Sequence, residues 1–258
     1  MTIGIIGAME EEVTLLKESM NVVTTRNVIG CDFFVGSVEG SSHNIVLVRS
    51  GIGKVNAALC AQVLIDIFAV DSVINVGVAG AIDRTLKVGD IVISSDAIQH
   101  DFDTSALGDE PGYISRMDTS IFAADINLID AATDAVEELG LVPNIGRIAS
   151  GDQFIADLDS KHRIQTLFNP LCCEMEGAAI AQACYLNKIP FVILRVMSDT
   201  ADGDGNVDYE QFFRESRAAS AITGDSTVAI ATEHTVPMKE AVMPMPSALL
   251  ACPFWVMG

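Results

Sequence analysis

The chain has 258 residues, half of them apolar, with 15 Lys and Arg against 35 Asp and Glu, a formal charge of −20. That length can hold a substantial core in one α/β domain. So acidic a surface repels phosphate backbones and anionic lipid, which argues against nucleic-acid and membrane partners and reads as a device for solubility.

The chain opens MTIGIIGAMEEE, without a basic n-region, and no apolar run reaches the length of a membrane span, so a cytoplasmic location is expected. Residues 2–7 read as a buried strand and 8–20 as an amphipathic helix. CDFFVGSVEG and HNIVLVRSG read as two strands of a meander turning near residues 40–42. GKVNAALCAQVLIDIFA reads as a helix and DSVINVGVAG as a buried strand entering a glycine-containing loop. VGDIVISSDAIQHD reads as a strand, 101–121 as loop, INLIDAATDAVEELG as a helix ending at Gly140, and IGRIASGDQF as a strand. A short helix DSKHRIQTLF, a helix of small residues over 176–187 and the buried strand PFVILRVMSD complete the pattern. Strands alternating with helices predict an α/β sheet covered on both faces. Composition shifts near residue 218, so residues 1–217 are expected to form a single domain and 218–258 an atypical tail. The six cysteines, at 31, 60, 172, 173, 184 and 252, lack paired spacing and read as small buried apolar residues.

Four places carry candidate chemistry. On the 8–20 helix, Met9, Val13, Leu16 and Met20 form an apolar stripe widened by Leu15. Glu10 and Glu11 point away and suit the helix dipole. Glu12 falls between Leu15 and Leu16, where burial would raise its pKa toward that of a general base, although it too could simply serve the dipole. Glu174 and Glu176, in CCEMEGAAIAQAC, stand at a helix N-terminus. There a carboxylate either caps the helix or accepts hydrogen bonds from a sugar diol. Asp199 ends an apolar strand, the place where open α/β sheets bind ligands, and a turn-forming role fits it equally. The glycines of GVAGAI, residues 77–82, would let backbone amides approach a flat ligand. GIIGAMEE and SGIGKVNA lack dinucleotide and P-loop spacing, and the scattered histidines leave HDFD at 100–103 a poor metal site.

Taken in order, IGIIGAMEEEV, SGIGKVNAA, VGVAGAI, LKVGDIV, SGDQFI, EMEGAAIA and RVMSDTAD closely resemble the 5′-methylthioadenosine/S-adenosylhomocysteine nucleosidases of the nucleoside phosphorylase superfamily. The resemblance runs from residue 2 to about residue 217. It implies a three-layer α/β/α fold around a mixed twisted sheet, no cofactor or metal, and an adenine nucleoside as substrate. The implied reaction is hydrolysis of the N-glycosidic bond of these two nucleosides, and of 5′-deoxyadenosine-type nucleosides, in methionine salvage and removal of a methyl-cycle by-product.

The resemblance also implies roles. Glu12 is the base that activates water, and Asp199 the acid that protonates adenine N7, aided by Ser198. Glu176 holds the ribose hydroxyls, Met175 packs on the sugar, and Glu174 stands with the pocket as support. Phe154 stacks on adenine and Ile155 offers its backbone to the base. Met9 and Ile52 line the ribose and alkylthio region, while Val78, Ala79 and Gly80 bring backbone to the ligand. A homodimer is implied, in which the loop near 101–113, with Thr104 and Leu107, completes the partner's pocket. Tyr209 matches an aromatic position near the 5′ tail. Val76 and Val78 stand where many relatives have hydroxyl residues, and the chain after about 217 departs from the family's closing helix. The rival readings are a phosphorolytic relative, a futalosine-type hydrolase and a nucleoside-binding protein without activity. A phosphorolytic relative would need arginines for phosphate, and near the relevant segments the chain offers Arg49 and Arg84.

Overall fold

The computed structural model describes residues 1–38, 43–138 and 140–202. The expected turn at 40–42, Tyr209, Cys252 and the tail lie outside the described residues. The elements are β1 (Thr2–Gly7), α1 (Glu10–Ser19), β2 (Met20–Val28), β3 (Cys31–Val38), β4 (Asn44–Arg49), α2 (Lys54–Phe68), β5 (Ser72–Ala81) and β6 (Ile91–Gln99). They continue with β7 (Ile121–Ala123), α3 (Ile126–Glu138), β8 (Pro143–Ser150), α4 (Leu158–Phe168), β9 (Cys172–Glu174), α5 (Gly177–Asn187) and β10 (Phe191–Asp199).

The strands form one mixed sheet in the order β10-β6-β8-β9-β5-β1-β4-β3-β2, with β7 beside β6. β10 also pairs with β5, so β5, β10, β6, β8 and β9 close into a ring while β1, β4, β3 and β2 extend as an open wing. Period-two alternation in the central strands sends side chains to two cores. Ile6, Val46, Val48 and Val73 meet Ala57, Cys60, Ala61 and Leu64 of α2 and Ala178, Ile180 and Ala181 of α5. On the other face Ile3, Ile5, Ile45, Leu47 and Ile74 meet Val13 and Leu16 of α1 and Leu128, Ala132 and Val136 of α3. The expected three-layer α/β/α arrangement is the one observed.

β1, β4, β5 and β10 run parallel, so their carboxyl ends lie along one edge of the sheet. That edge is where ligands meet such sheets. β10 pairs with β5 through a register shift between Met197 and Asp199, which brings Asp199 opposite Gly80. Bulges of this kind re-aim side chains next to functional sites.

The sequence pattern does not announce β2, β7 or β9. β2 is an edge strand exposed along most of its length, so it shows no apolar alternation. β7 and β9 have three residues each, too short for a period. The first helix begins at Glu10 rather than residue 8 and hands Met20 to β2. The strand read as IGRIASGDQF ends at Ser150.

At Gly36 of β3 the neighbouring edge strand passes so close that an added Cβ would lie 2.3 Å from the Asn21 carbonyl oxygen. Backbone cannot rotate aside as a side chain can. Gly36→Ala is expected to destabilise the fold by about 1–3 kcal/mol in urea unfolding while leaving the activity of the folded protein intact.

Candidate active site

Helix α1 begins directly after β1, and its first turn holds three glutamates whose environments differ. Glu10 and Glu11 are exposed, with Glu10 3.2 Å from Arg49, whereas Glu12 is buried. Glu12 Oε2 accepts from the amides of Ala8 (2.6 Å) and Met9 (2.9 Å), closing the helix start, and Oε1 accepts from the amide of Val78 (3.1 Å). The carboxylate reaches β5 because residue 77 is glycine: a Cβ there would stand 2.6 Å from Oε1. Burial pushes the Glu12 carboxyl above its ordinary value, opposed by Arg195 and by the three amides.

Glu174 and Glu176, two residues apart, face different ways because the chain changes from strand to helix between them. Glu174, at the end of β9, is the carboxylate that accepts from the first amide of α5, that of Gly177, at 3.0 and 2.8 Å through its two oxygens. It also accepts from Ser150 Oγ, the Glu176 amide and Arg195 Nη2. Burial pushes Glu174 upward, yet Arg195 and Ser150 hold it below the usual carboxylate value. Glu176 is the helix N-cap residue and turns across the pocket, accepting from the Gly53 amide at 2.7 Å. Burial, and next the charge of Glu174, push its carboxyl up to about 7.

At the far end of the same edge stands Asp199, buried on β10. Its Oδ1 accepts from the Ala81 amide at 3.1 Å, and its Oδ2 is 2.7 Å from Lys161 Nζ of α4. Gly80 makes room, since a Cβ there would lie 3.0 Å from Oδ1. Ser198 Oγ donates to the Ala79 carbonyl at 3.2 Å.

These groups line one cavity of about 410 Å³, a volume suited to a small molecule. Met9, Glu12, Val78, Ala79 and Gly80 line it from the start of α1 and from β5. Glu174, Met175, Glu176, Ser198 and Asp199 line it from β9, the start of α5 and β10. Phe154, Ile155 and Ile52 stand at its mouth, with Phe154 50% and Ile52 54% exposed. No lysine or arginine is among its described lining residues. Thr104 and Leu107 are not in this lining. Thr104 Oγ1 donates to Asp109 at 2.8 Å, and Leu107 is 83% exposed.

Two charged residues of the site are not singled out by sequence reasoning. Arg195 lies within the apolar run of β10, and Lys161 looks like a solvated helix cation. The available signals are strand alternation, which places Arg195 two registers from Met197, and the helix phase, which places Lys161 on the face of Ile164 and Phe168. Among the described residues no three His, Cys, Asp or Glu side chains stand together as metal ligands. His100 is buried and pushed down by burial, and Asp101 pairs with Lys54 at 2.6 Å. Burial pushes the Cys173 thiol beside Asp199 up to about 12, so it stays protonated and is no nucleophile.

The raised Glu176 carboxyl has a consequence for stability. A carboxyl raised on folding contributes fully below its unfolded value near 4.5, and that contribution is lost as pH rises through about 7. Glu176→Gln is therefore expected to gain stability relative to the parent protein between pH 5 and pH 8, read as a growing difference in urea midpoint.

Comparison with known proteins places this geometry in context. The chain matches the Phosphorylase superfamily over residues 2–229. It is 41% identical over 220 residues to a 5′-methylthioadenosine/S-adenosylhomocysteine nucleosidase of Staphylococcus carnosus, covering 85% of this chain and 95% of that protein. It is 42% identical over 220 residues to the protein of the same name from Halalkalibacterium halodurans, covering 85% and 94%. The crystal structure of S-adenosylhomocysteine nucleosidase from Streptococcus pyogenes in complex with 5-methylthiotubericidin superposes with a TM-score of 0.82 at 31% identity, covering 97% of this chain and 96% of that one.

Proposed function

The chain belongs to the phosphorylase superfamily and, within it, to the 5′-methylthioadenosine/S-adenosylhomocysteine nucleosidases, and from that premise we propose how its cavity works. The enzyme hydrolyses the N-glycosidic bond of these nucleosides, releasing adenine and the 5-thio-substituted ribose. Glu12 takes a proton from water as the water attacks the ribosyl carbon. The bond electrons pass to the base, and Asp199 delivers its proton to N7 so that adenine leaves neutral. Positive charge builds on the ribosyl ring as the bond breaks, as in other glycosidic cleavages. The anionic side chains of Glu12 and Glu176 stabilise it. Glu176 accepts from the ribose hydroxyls, Met175 packs on the sugar, and Phe154 covers the base.

The observation that carries this reading is a buried carboxylate, Glu12, in a cavity with no lysine or arginine among its described lining residues. Phosphorolysis needs a positive cradle for phosphate. Here Arg49 lies against Glu10 and Arg84 against Asp202, both at exposed positions, and the lining offers carboxylates. The test is adenine release from 5′-methylthioadenosine in phosphate-free buffer. Release is expected at a rate that added phosphate does not raise, and dependence on phosphate would overturn the hydrolytic reading. Glu12→Gln is expected to lower kcat by about 100-fold or more while still binding a nucleoside-analogue inhibitor. For the parent protein, kcat/KM is expected to fall on acidification at a pH above the ordinary glutamate range, because protonating Glu12 removes the base.

The exposed segment around Leu107 fits a homodimer in which that loop closes the partner's pocket over the 5′-thio group. Leu107→Ala is then expected to raise KM several-fold for S-adenosylhomocysteine with little change in kcat. An unchanged KM in a dimeric protein would remove the loop from the pocket.

A further inference from the structure

Helix α4 starts at Leu158 after the N-cap Asp157, whose side chain accepts from the Ser160 amide at 2.8 Å. That start fixes the helix phase, and the residues it buries are Lys161, Ile164 and Phe168. A lysine therefore takes a core position. It also lies in the first turn, where the helix dipole disfavours a cation. Burying an ammonium is costly, and a buried ion pair seldom adds net stability over apolar residues of the same size. Packing gives no reason for Lys161; its two partners do. Nζ donates to Asp199 Oδ2 at 2.7 Å and to the Thr200 carbonyl at 2.8 Å, with the Lys161 and Asp199 side chains 4% and 3% exposed.

We propose that Lys161 is a positioning residue for the acid: it fixes the Asp199 carboxyl toward the base and stabilises the carboxylate that Asp199 becomes on giving up its proton. The inference rests on Asp199 acting as the acid of the hydrolysis proposed above. In that step the Asp199 O–H bond breaks, the N7–H bond forms, and the glycosidic electron pair moves onto the base. A carboxylate created in a buried site needs a counter-charge already in place, because the surroundings cannot reorganise at the moment of transfer. The Ala81 amide on Oδ1 holds the other oxygen, so the carboxyl plane is set from two sides.

The test compares two leaving groups. Adenine needs a proton to leave, whereas the nitrophenolate of 4-nitrophenyl 5-methylthio-riboside does not. Lys161→Met keeps the length of the side chain and removes its charge. It is expected to lower kcat for 5′-methylthioadenosine by about 100-fold with KM nearly unchanged. The rate ratio of the nucleoside to the nitrophenyl riboside should fall by a similar factor, and Lys161→Arg should recover most of the loss. Once Asp199 is Asn, Lys161→Met should add less than about twofold, as for two residues acting through one contact. Equal losses on both substrates, or a full additional loss in the Asp199→Asn background, would overturn the inference and leave Lys161 a structural residue. Wild-type activity unchanged by Lys161→Met would overturn it as well. A wild-type protein that releases no adenine at all would instead overturn the hydrolytic reading and the role of Lys161 with it.

Discussion

The site depends on one buried cation shared among too many anions. Arg195 sits on β10 with its guanidinium against Glu174 and Asn75, the latter at 2.5 Å. Its charge also reaches Glu12 and Glu176. One positive charge cannot stabilise three buried carboxylates equally, so the carboxylates divide. Glu174, in contact with the guanidinium, is held low, and Glu12 and Glu176 are left raised. The same arrangement that makes Glu174 a fixed anion makes Glu12 suited to accept a proton. Removing Arg195 would free all three from this order, which ties the role proposed for Glu12 to a residue outside the cavity lining.

β5 translates that electrostatics into geometry. Its amides donate to the two carboxylates proposed as base and acid, to Glu12 from Val78 and to Asp199 from Ala81, and it is Val78 and Ala81 that set their spacing. Those residues are three apart on an extended strand, about 10 Å along its axis, a separation on the scale of a nucleoside. Glycine at 77 and at 80 lets each carboxylate come to the backbone where any side chain would hold it off. β10 runs parallel to β5, with Arg195 opposite Gly77 and Asp199 opposite Gly80. The cation thus lies beside Glu12, the proposed base, and Asp199, the proposed acid, stands at the other end. Val78 lacks the hydroxyl expected at its position, but the contact it makes with Glu12 comes from its amide, which every residue other than proline supplies.

Much of this is legible in the chain. The central strands read correctly because both their faces are buried, and the stripe on α1 separates Glu12 from Glu10 and Glu11 by phase alone. What resists reading has physical causes. β2 hides because an exposed edge strand has no apolar period. Glu174 and Glu176 look alike in sequence, and only the change from extended to helical backbone between them assigns one to cap α5 and the other to face Gly53. Arg195 and Lys161 hide for the opposite reason. Each interrupts an apolar pattern, and a single polar residue in such a pattern is ordinarily turned outward. Their distant counter-charges, Glu174 and Asp199, make burial tolerable, and pairings that span 21 and 38 residues leave no local trace.

The site is therefore not at an electrostatic optimum. It holds Glu12, Glu174, Glu176 and Asp199 against Arg195 and Lys161, and the excess of acids appears as carboxyl groups raised by burial. Such crowding costs stability in the resting protein. On the roles proposed for Glu12 and Glu176 it is relieved as the glycosidic bond breaks, because the ribosyl ring then supplies the missing positive charge between them. A site balanced for the neutral nucleoside would bind substrate and transition state alike and gain no rate from that binding. A site short of one cation favours the cationic transition state over both the substrate and the products. On these proposed roles the surplus of acid in the pocket favours the transition state, and the fold tolerates it because Arg195 pairs with Glu174 and Lys161 stands against Asp199.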